Sequence, residues 1–101
     1  MTPEGKVKAK VTKALKAMGA YYCFPVTGGF GASGVPDILI CYRGRFVAIE
    51  CKAGKGRVTA LQQSNLDAIV RAGGVALVIA EAQADFVEQL ILEAINERKE
   101  N

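Results

Sequence analysis

Over residues 3 to 18, PEGKVKAKVTKALKAM, apolar side chains return every three or four positions. On a helical wheel Val7, Val11, Ala14, Leu15 and Met18 form one stripe, with Lys6, Lys10, Lys13 and Lys16 on the opposite side, so an amphipathic helix is predicted. Thr2 is placed to cap it, Pro3 suits its first position and Gly19 ends it. Glu4 is the exception, an acid on the apolar stripe one turn before Val7. The pattern then shortens. AYYCFPV, residues 20 to 26, reads as a strand stopped near Pro25.

VPDILICYRGRFVAIECKA, residues 35 to 53, reads as two apolar strands joined around Arg43-Gly44. Strands this apolar are expected to be covered on both faces. Thr59 to Ala72 has the spacing of a second helix, closed by Gly73-Gly74. VALVIA, residues 75 to 80, is a fourth strand, and QADFVEQLILEAINER, from Gln83, a final helix with a polar tail. The order α-β-β-β-α-β-α predicts an α/β fold, a mixed sheet flanked by helices, as one domain over residues 1–101. The loop TGGFGASG contains G-x-G-x-x-G at Gly29, Gly31 and Gly34. A dinucleotide fingerprint needs a helix next, and Val35-Pro36 and a strand follow instead. The loop is expected to be mobile and to lie beside the site.

Half of the residues are hydrophobic, as in ordinary globular chains. No apolar run is long enough to span a bilayer and no signal-peptide pattern opens the chain, so a soluble cytoplasmic protein is expected. Cys23, Cys41 and Cys51 are odd in number and spaced unlike a zinc motif. Each sits in an apolar run, which reads as core packing in a reducing compartment. There is no histidine, so any catalysis falls to carboxylates, lysine and backbone. The net charge of +3 is unevenly spread. Ten of the thirteen lysines and arginines lie at or before Arg57, with only three of the ten acids, Glu4, Asp37 and Glu50. A basic half suits a polyanionic partner, although a solubilising face has the same composition.

Two of those three acids belong to the paired strands. With a turn centred between Arg43 and Gly44, Tyr42 faces Arg45, Ile40 faces Val47 and Asp37 faces Glu50. Opposed residues share a face with Cβ atoms about 4.5–5.5 Å apart. Lys52 points to the same face, roughly 6.6 Å further along. Two opposed carboxylates repel each other, and a divalent cation between them removes the conflict. Oxygen ligands without histidine or thiolate spacing favour Mg²⁺ or Mn²⁺, with the backbone carbonyl of Cys51 as a further ligand. An isolated E-x-K is more often a solvated strand end; the opposed aspartate, the apolar strands and the basic surroundings reverse that preference.

Pro36-Asp37 followed by Glu50-Cys51-Lys52 on the next strand resembles the PD-(D/E)xK nuclease superfamily, whose restriction-endonuclease-like core runs α-β-β-β-α-β. GVPD, IECKAGKGRVTALQ and GGVALVI, in that order, are similar to its VRR-NUC branch, and the resemblance covers roughly residues 4 to 80. It implies a short, standalone phage-type domain that cuts DNA with a divalent metal. Asp37 and Glu50 would hold the metal and Lys52 would orient or activate water. Glu4 would contact the metal's water and Gln62 would be the glutamine of an S/T-x-x-Q element. The resemblance also implies a homodimer and branched DNA, such as four-way (Holliday) junctions, as substrate. Lys6, Lys10, Lys13, Lys55 and Arg57 are then candidate phosphate contacts, supplying affinity without reading sequence. Tyr21 and Tyr22 are candidates for stacking on bases, with strand packing as the simpler reading.

Two helical candidates also have ordinary explanations. Glu4 suits a helix N-terminus by charge alone, and Thr59-x-x-Gln62 is a capping box. Two other functions compete with the nuclease: a catalytically silent nucleic-acid-binding module of the same fold, and a small interaction domain with a structural cation.

Overall fold

The computed structural model describes residues 1–26 and 34–100. The glycine-rich stretch proposed above as a mobile loop therefore lies, up to residue 33, outside the described residues. Among the described residues three helices and four strands follow one another: α1 (Pro3–Met18), β1 (Tyr21–Cys23), β2 (Ile38–Tyr42), β3 (Arg45–Cys51), α2 (Ala60–Arg71), β4 (Val75–Ile79) and α3 (Val87–Glu100). Helix α1 starts where Thr2 Oγ1 accepts the Gly5 N–H at 3.0 Å and ends at Gly19, whose φ of 73° lets its N–H reach back to Lys16.

The sheet order is β1-β2-β3-β4, antiparallel up to β3 and parallel between β3 and β4. The β2–β3 turn sets the register. Arg43 and Gly44 both have positive φ, 53° and 75°, the two-residue turn whose twist matches the flanking strands. Ile38 pairs with Ile49, Ile40 with Val47 and Tyr42 with Arg45, the register expected from the sequence.

One face of the sheet carries Ile38, Ile40, Val47, Ile49, Cys51 and Ile79. Helices α1 and α3 cover it with Val7, Val11, Leu15, Val87 and Ile91. These side chains are essentially inaccessible to water, and truncating one, such as Ile49→Ala, would cost roughly 2–5 kcal/mol. Helix α2 packs on β4, and its buried Leu66 stands apart from that core. Strand β3, with a neighbour on each side, is buried at all five positions from Val47 to Cys51.

The element expectations fail in two places, one for lack of cover and one because side-chain bonding competes with the helix. Among the described residues no element closes the face carrying Cys23 and Cys41 over β1 and β2, so those thiols are exposed and Tyr21 is 77% exposed; only Cys51 packs in the core. Edge strand β1 is also short, three residues. The final helix begins at Val87 rather than at Gln83. There Gln83 folds back on the end of β4: its Oε1 accepts the Ala80 N–H at 2.9 Å and its carbonyl accepts the Phe86 N–H at 2.9 Å. Ala84, within this turn, is buried against the core.

Candidate active site

The start of β2 and the ends of β1, β3 and β4 meet at one end of the sheet, because β2 alone runs opposite to the others. Asp37 immediately precedes β2 there and Glu50 is the last residue but one of β3. Asp37 Oδ2 accepts the Cys51 N–H at 2.8 Å, which ties the entry of one strand to the exit of the other. That bond continues the register from Ile38–Ile49 and puts both acids at the same level of the hairpin.

Glu50 is 2% exposed, the one buried charged side chain among the described residues, and its Oε2 has no hydrogen-bond partner. Burial pushes its carboxyl up to about 8, the hydrogen-bonding contact and the charge of Asp37 push the same way, and Lys52 pulls down. At neutral pH in the protein alone, burial and the neighbouring Asp37 thus favour the protonated form of Glu50. The repulsion inferred from the register is relieved by a proton. Burial likewise drives the Cys51 thiol up to about 12, with Asp37 and Glu50 adding to the effect. That thiol stays protonated, so Cys51 serves the site through its backbone.

Lys52 lies just beyond β3 and is half-buried. Its N–H donates to the Ile79 carbonyl at 2.9 Å, so the chain stays fixed to β4 where the lysine leaves the strand. The following loop is held at Gly54, which has a φ of 57° and whose N–H lies 2.9 Å from Glu81 Oε2 and 3.2 Å from Oε1. That bond holds the Glu81 carboxyl below its ordinary value. Lys55 and Arg57 project from this loop into solvent.

The remaining expected residues divide. Glu4 is exposed, a correction to its place on the wheel: burial of the stripe begins one turn later, at Val7. Its charge still acts on Glu50 and Cys51, so it stands near the carboxylates. Gln62 is half-buried and is occupied in the capping box: its Oε1 accepts the Thr59 N–H at 2.9 Å while Thr59 Oγ1 accepts the Gln62 N–H at 3.1 Å. Lys6 and Lys13 are exposed, and Lys10 is paired with Asp85 at 3.1 Å. Lys6 and Lys10 line a cavity of about 210 Å³ with Pro3, Val7, Glu81 and Ala84; neither Asp37 nor Glu50 reaches it.

Two contributors escape the sequence reading. Glu81 clamps the Lys55–Arg57 loop across 27 residues, for which the sequence carries no local signal. Lys8 is half-buried, with its ammonium 4.6 Å from the centre of the Phe24 ring. On the wheel it falls beside Glu4 and Leu15, away from the other lysines, and that was the available signal.

The donor set fits a hard divalent cation. Glu50 presents a buried oxygen with no partner, Asp37 faces it, and oxygen ligands suit Mg²⁺ or Mn²⁺. Among the described residues no group of three or more carboxylate, thiol or imidazole side chains converges on one point, so backbone and solvent would complete the shell.

No family model and no curated protein matches the chain. Among solved structures it is similar to a VRR_NUC domain, with a TM-score of 0.71 and 21% sequence identity over 90% of this chain and 96% of the other. The likeness, together with the helix-flanked mixed sheet, identifies the fold as restriction-endonuclease-like α/β, as the resemblance of Pro36-Asp37 and Glu50-Cys51-Lys52 implied.

Proposed function

We propose that the protein is a divalent-metal-dependent endodeoxyribonuclease that hydrolyses phosphodiester bonds in branched DNA, such as four-way junctions. One observation carries the reading: the buried Glu50 carboxyl, with its Oε2 unpartnered, beside an aspartate fixed on the Cys51 amide. Burying a carboxyl costs free energy unless something is bound there, and a nuclease-type fold supplies the context.

Asp37 and Glu50, with the Cys51 carbonyl, would hold Mg²⁺ or Mn²⁺. When bound, the cation acidifies water and offsets charge developing on the phosphoryl oxygens. Glu50 has to give up its proton to serve as a ligand, so cation and proton compete for the pair. Lys52, whose charge already acts on Glu50, faces the phosphate with a second positive charge and orients the attacking water. Glu4 orders water at the rim of the site. Gln62 acts through the cap that fixes the start of α2. Lys6, Lys13, Lys55 and Arg57 are exposed and free of ion pairs with acids among the described residues, so they are the phosphate contacts; Lys10 must first leave Asp85.

A homodimer with two-fold symmetry matches a junction of the same symmetry. Three free thiols fit a reducing, cytoplasmic setting, and no helix among the described residues is long and apolar enough to cross a membrane.

Junction and linear duplex DNA incubated with Mg²⁺, Mn²⁺ or EDTA provide the test. Metal-dependent cuts, faster on the junction and lost in Glu50→Gln and Lys52→Ala, are the expected result. Cleavage in EDTA, or by either variant at the wild-type rate, overturns it. Binding without cleavage under any condition identifies a silent binding module.

A further inference from the structure

We propose that Lys8, held on the ring of Phe24, is a substrate-positioning residue that grips a DNA phosphate next to the bond being cut. The inference rests on the nuclease reading above and adds a residue to it.

The placement comes from two elements. Phe24 follows β1 directly, and β1 runs antiparallel to β2 with Cys23 opposite Leu39, so Phe24 stands next to the end of the hairpin where Asp37 enters. Its ring also meets Tyr22 edge-on, with centroids 5.7 Å apart, which fixes its orientation. From above, α1 presents Lys8 one turn after Glu4 and one residue after the buried Val7. The ammonium lies 4.6 Å from the ring centre, inside the range of a cation–π contact. Its charge acts on Cys51, the residue whose N–H holds Asp37. Lys8 is therefore at the carboxylate end of the sheet, whereas its neighbour Lys10 is engaged by Asp85 on the other side of the helix.

A lysine used only for solubility keeps its rotamer freedom in water. Lys8 has given up much of it: the chain is half-buried and its head rests on an aromatic face, with no carboxylate within ion-pairing distance among the described residues. An ammonium has three donors and an aromatic face occupies only one side of it. The remaining donors suit an anionic oxygen arriving from solvent, and a cation fixed in advance loses less entropy when the phosphate arrives. Lys52 would then meet the reacting phosphate and Lys8 a neighbouring one.

Lys8→Met tests this, because it keeps the unbranched stem on Phe24 and removes only the charge. Binding to an uncut junction is measured against salt in Glu50→Gln protein, with and without Lys8→Met. Loss of one phosphate contact should reduce the slope of log affinity against log salt by about 0.9. In otherwise wild-type protein, Lys8→Met should lower kcat/KM by on the order of ten- to a hundredfold, the range of a charge-assisted hydrogen bond. Lys8→Arg should restore most of the rate. Phe24→Leu should keep the salt slope, since the charge stays, and lose rate, since the lysine is no longer held. An unchanged salt slope and rate in Lys8→Met overturns the proposal, as does a fall in melting temperature with no change in slope, which marks a structural strut. Failure here leaves wild-type cleavage intact; failure of the nuclease reading abolishes it in wild type too, and the binding slope still decides whether Lys8 meets a phosphate.

Discussion

Asp37 holds the backbone of Cys51 at 2.8 Å while the side chain of the preceding residue, Glu50, is buried against it with one oxygen unpartnered. One carboxylate is thus engaged in holding the backbone, and the other is left available at an energetic cost. The asymmetry makes the two acids separable by substitution.

Asp37→Asn should lower the pKa of Glu50 from about 8, because it removes the carboxyl contact and the charge that add to burial. The amide oxygen can still accept the Cys51 N–H, so the hairpin should survive. Above pH 8 wild type carries both charges at one level of the hairpin, a repulsion worth about 0.2–1 kcal/mol. The variant should therefore melt higher than wild type there, and about equally near neutrality, where the raised Glu50 pKa favours its protonated form in wild type. Carbon NMR of the Glu50 carboxyl and thermal melts in EDTA check both halves. A variant that melts lower at every pH, with Glu50 unmoved, would show that Asp37 is only a strand cap.

Much of this site was legible because an antiparallel hairpin with a two-residue turn has one register. Arg43-Gly44 fixes the pairing of Ile38 with Ile49, and the positions of Asp37 and Glu50 follow. Helix α1 was equally plain, since Thr2, Pro3 and Gly19 mark its ends by local chemistry. What the sequence could not show depends on which parts of each element have a neighbour. Glu4 lies on the apolar stripe but outside the core, Cys23 and Cys41 sit in apolar strands on a face left open among the described residues, and Gln83 lies in a turn that bonds back to the end of β4 where the pattern suggested a helix. Periodicity reports a face; it does not report what covers it.

Gly34 should be intolerant of substitution. A Cβ there would lie 2.8 Å from the Leu61 backbone at the start of α2, and the φ of 78° adds strain. Gly34→Ala must displace either the first turn of α2 or the segment leading to Asp37. A loss on the order of 1–3 kcal/mol is expected in urea melts. Gly44→Ala, with nothing within 4 Å, serves as a control for the backbone strain alone, and an equal loss in both variants would rule out the clash.

Gln62 separates capping from chemistry. Gln62→Ala should cost about 0.3–1.5 kcal/mol by removing half of the capping box. Gln62→Glu leaves an oxygen for the Thr59 N–H and places a negative charge where the helix dipole favours it, so its melting temperature should hold. Cleavage well below the melting transition should survive in both variants. Loss of cleavage in a fully folded Gln62→Glu protein would place the amide in the reaction itself.

Glu50 gives the metal-free protein a distinctive pH dependence. Its carboxyl titrates near 4.5 in the ordinary case and near 8 in the folded protein, with burial as the largest cause. Between those values the folded state holds a proton that the unfolded chain has released. The contribution to stability is therefore complete below about 4.5 and is lost as pH rises through about 8. In EDTA, wild type should melt lower at about pH 9 than at about pH 6, and Glu50→Gln, which has no proton to lose, should show much less of that decline. Added Mg²⁺ should act in the opposite sense. It binds the ionised pair, so it should stabilise wild type more at the higher pH and leave Glu50→Gln nearly unmoved. Fluorescence-monitored melts across this range measure both effects in one series, without any DNA present. Parallel profiles for the two proteins in EDTA would mean that Glu50 is already ionised at neutral pH, and the competition between proton and cation proposed for this site would fall.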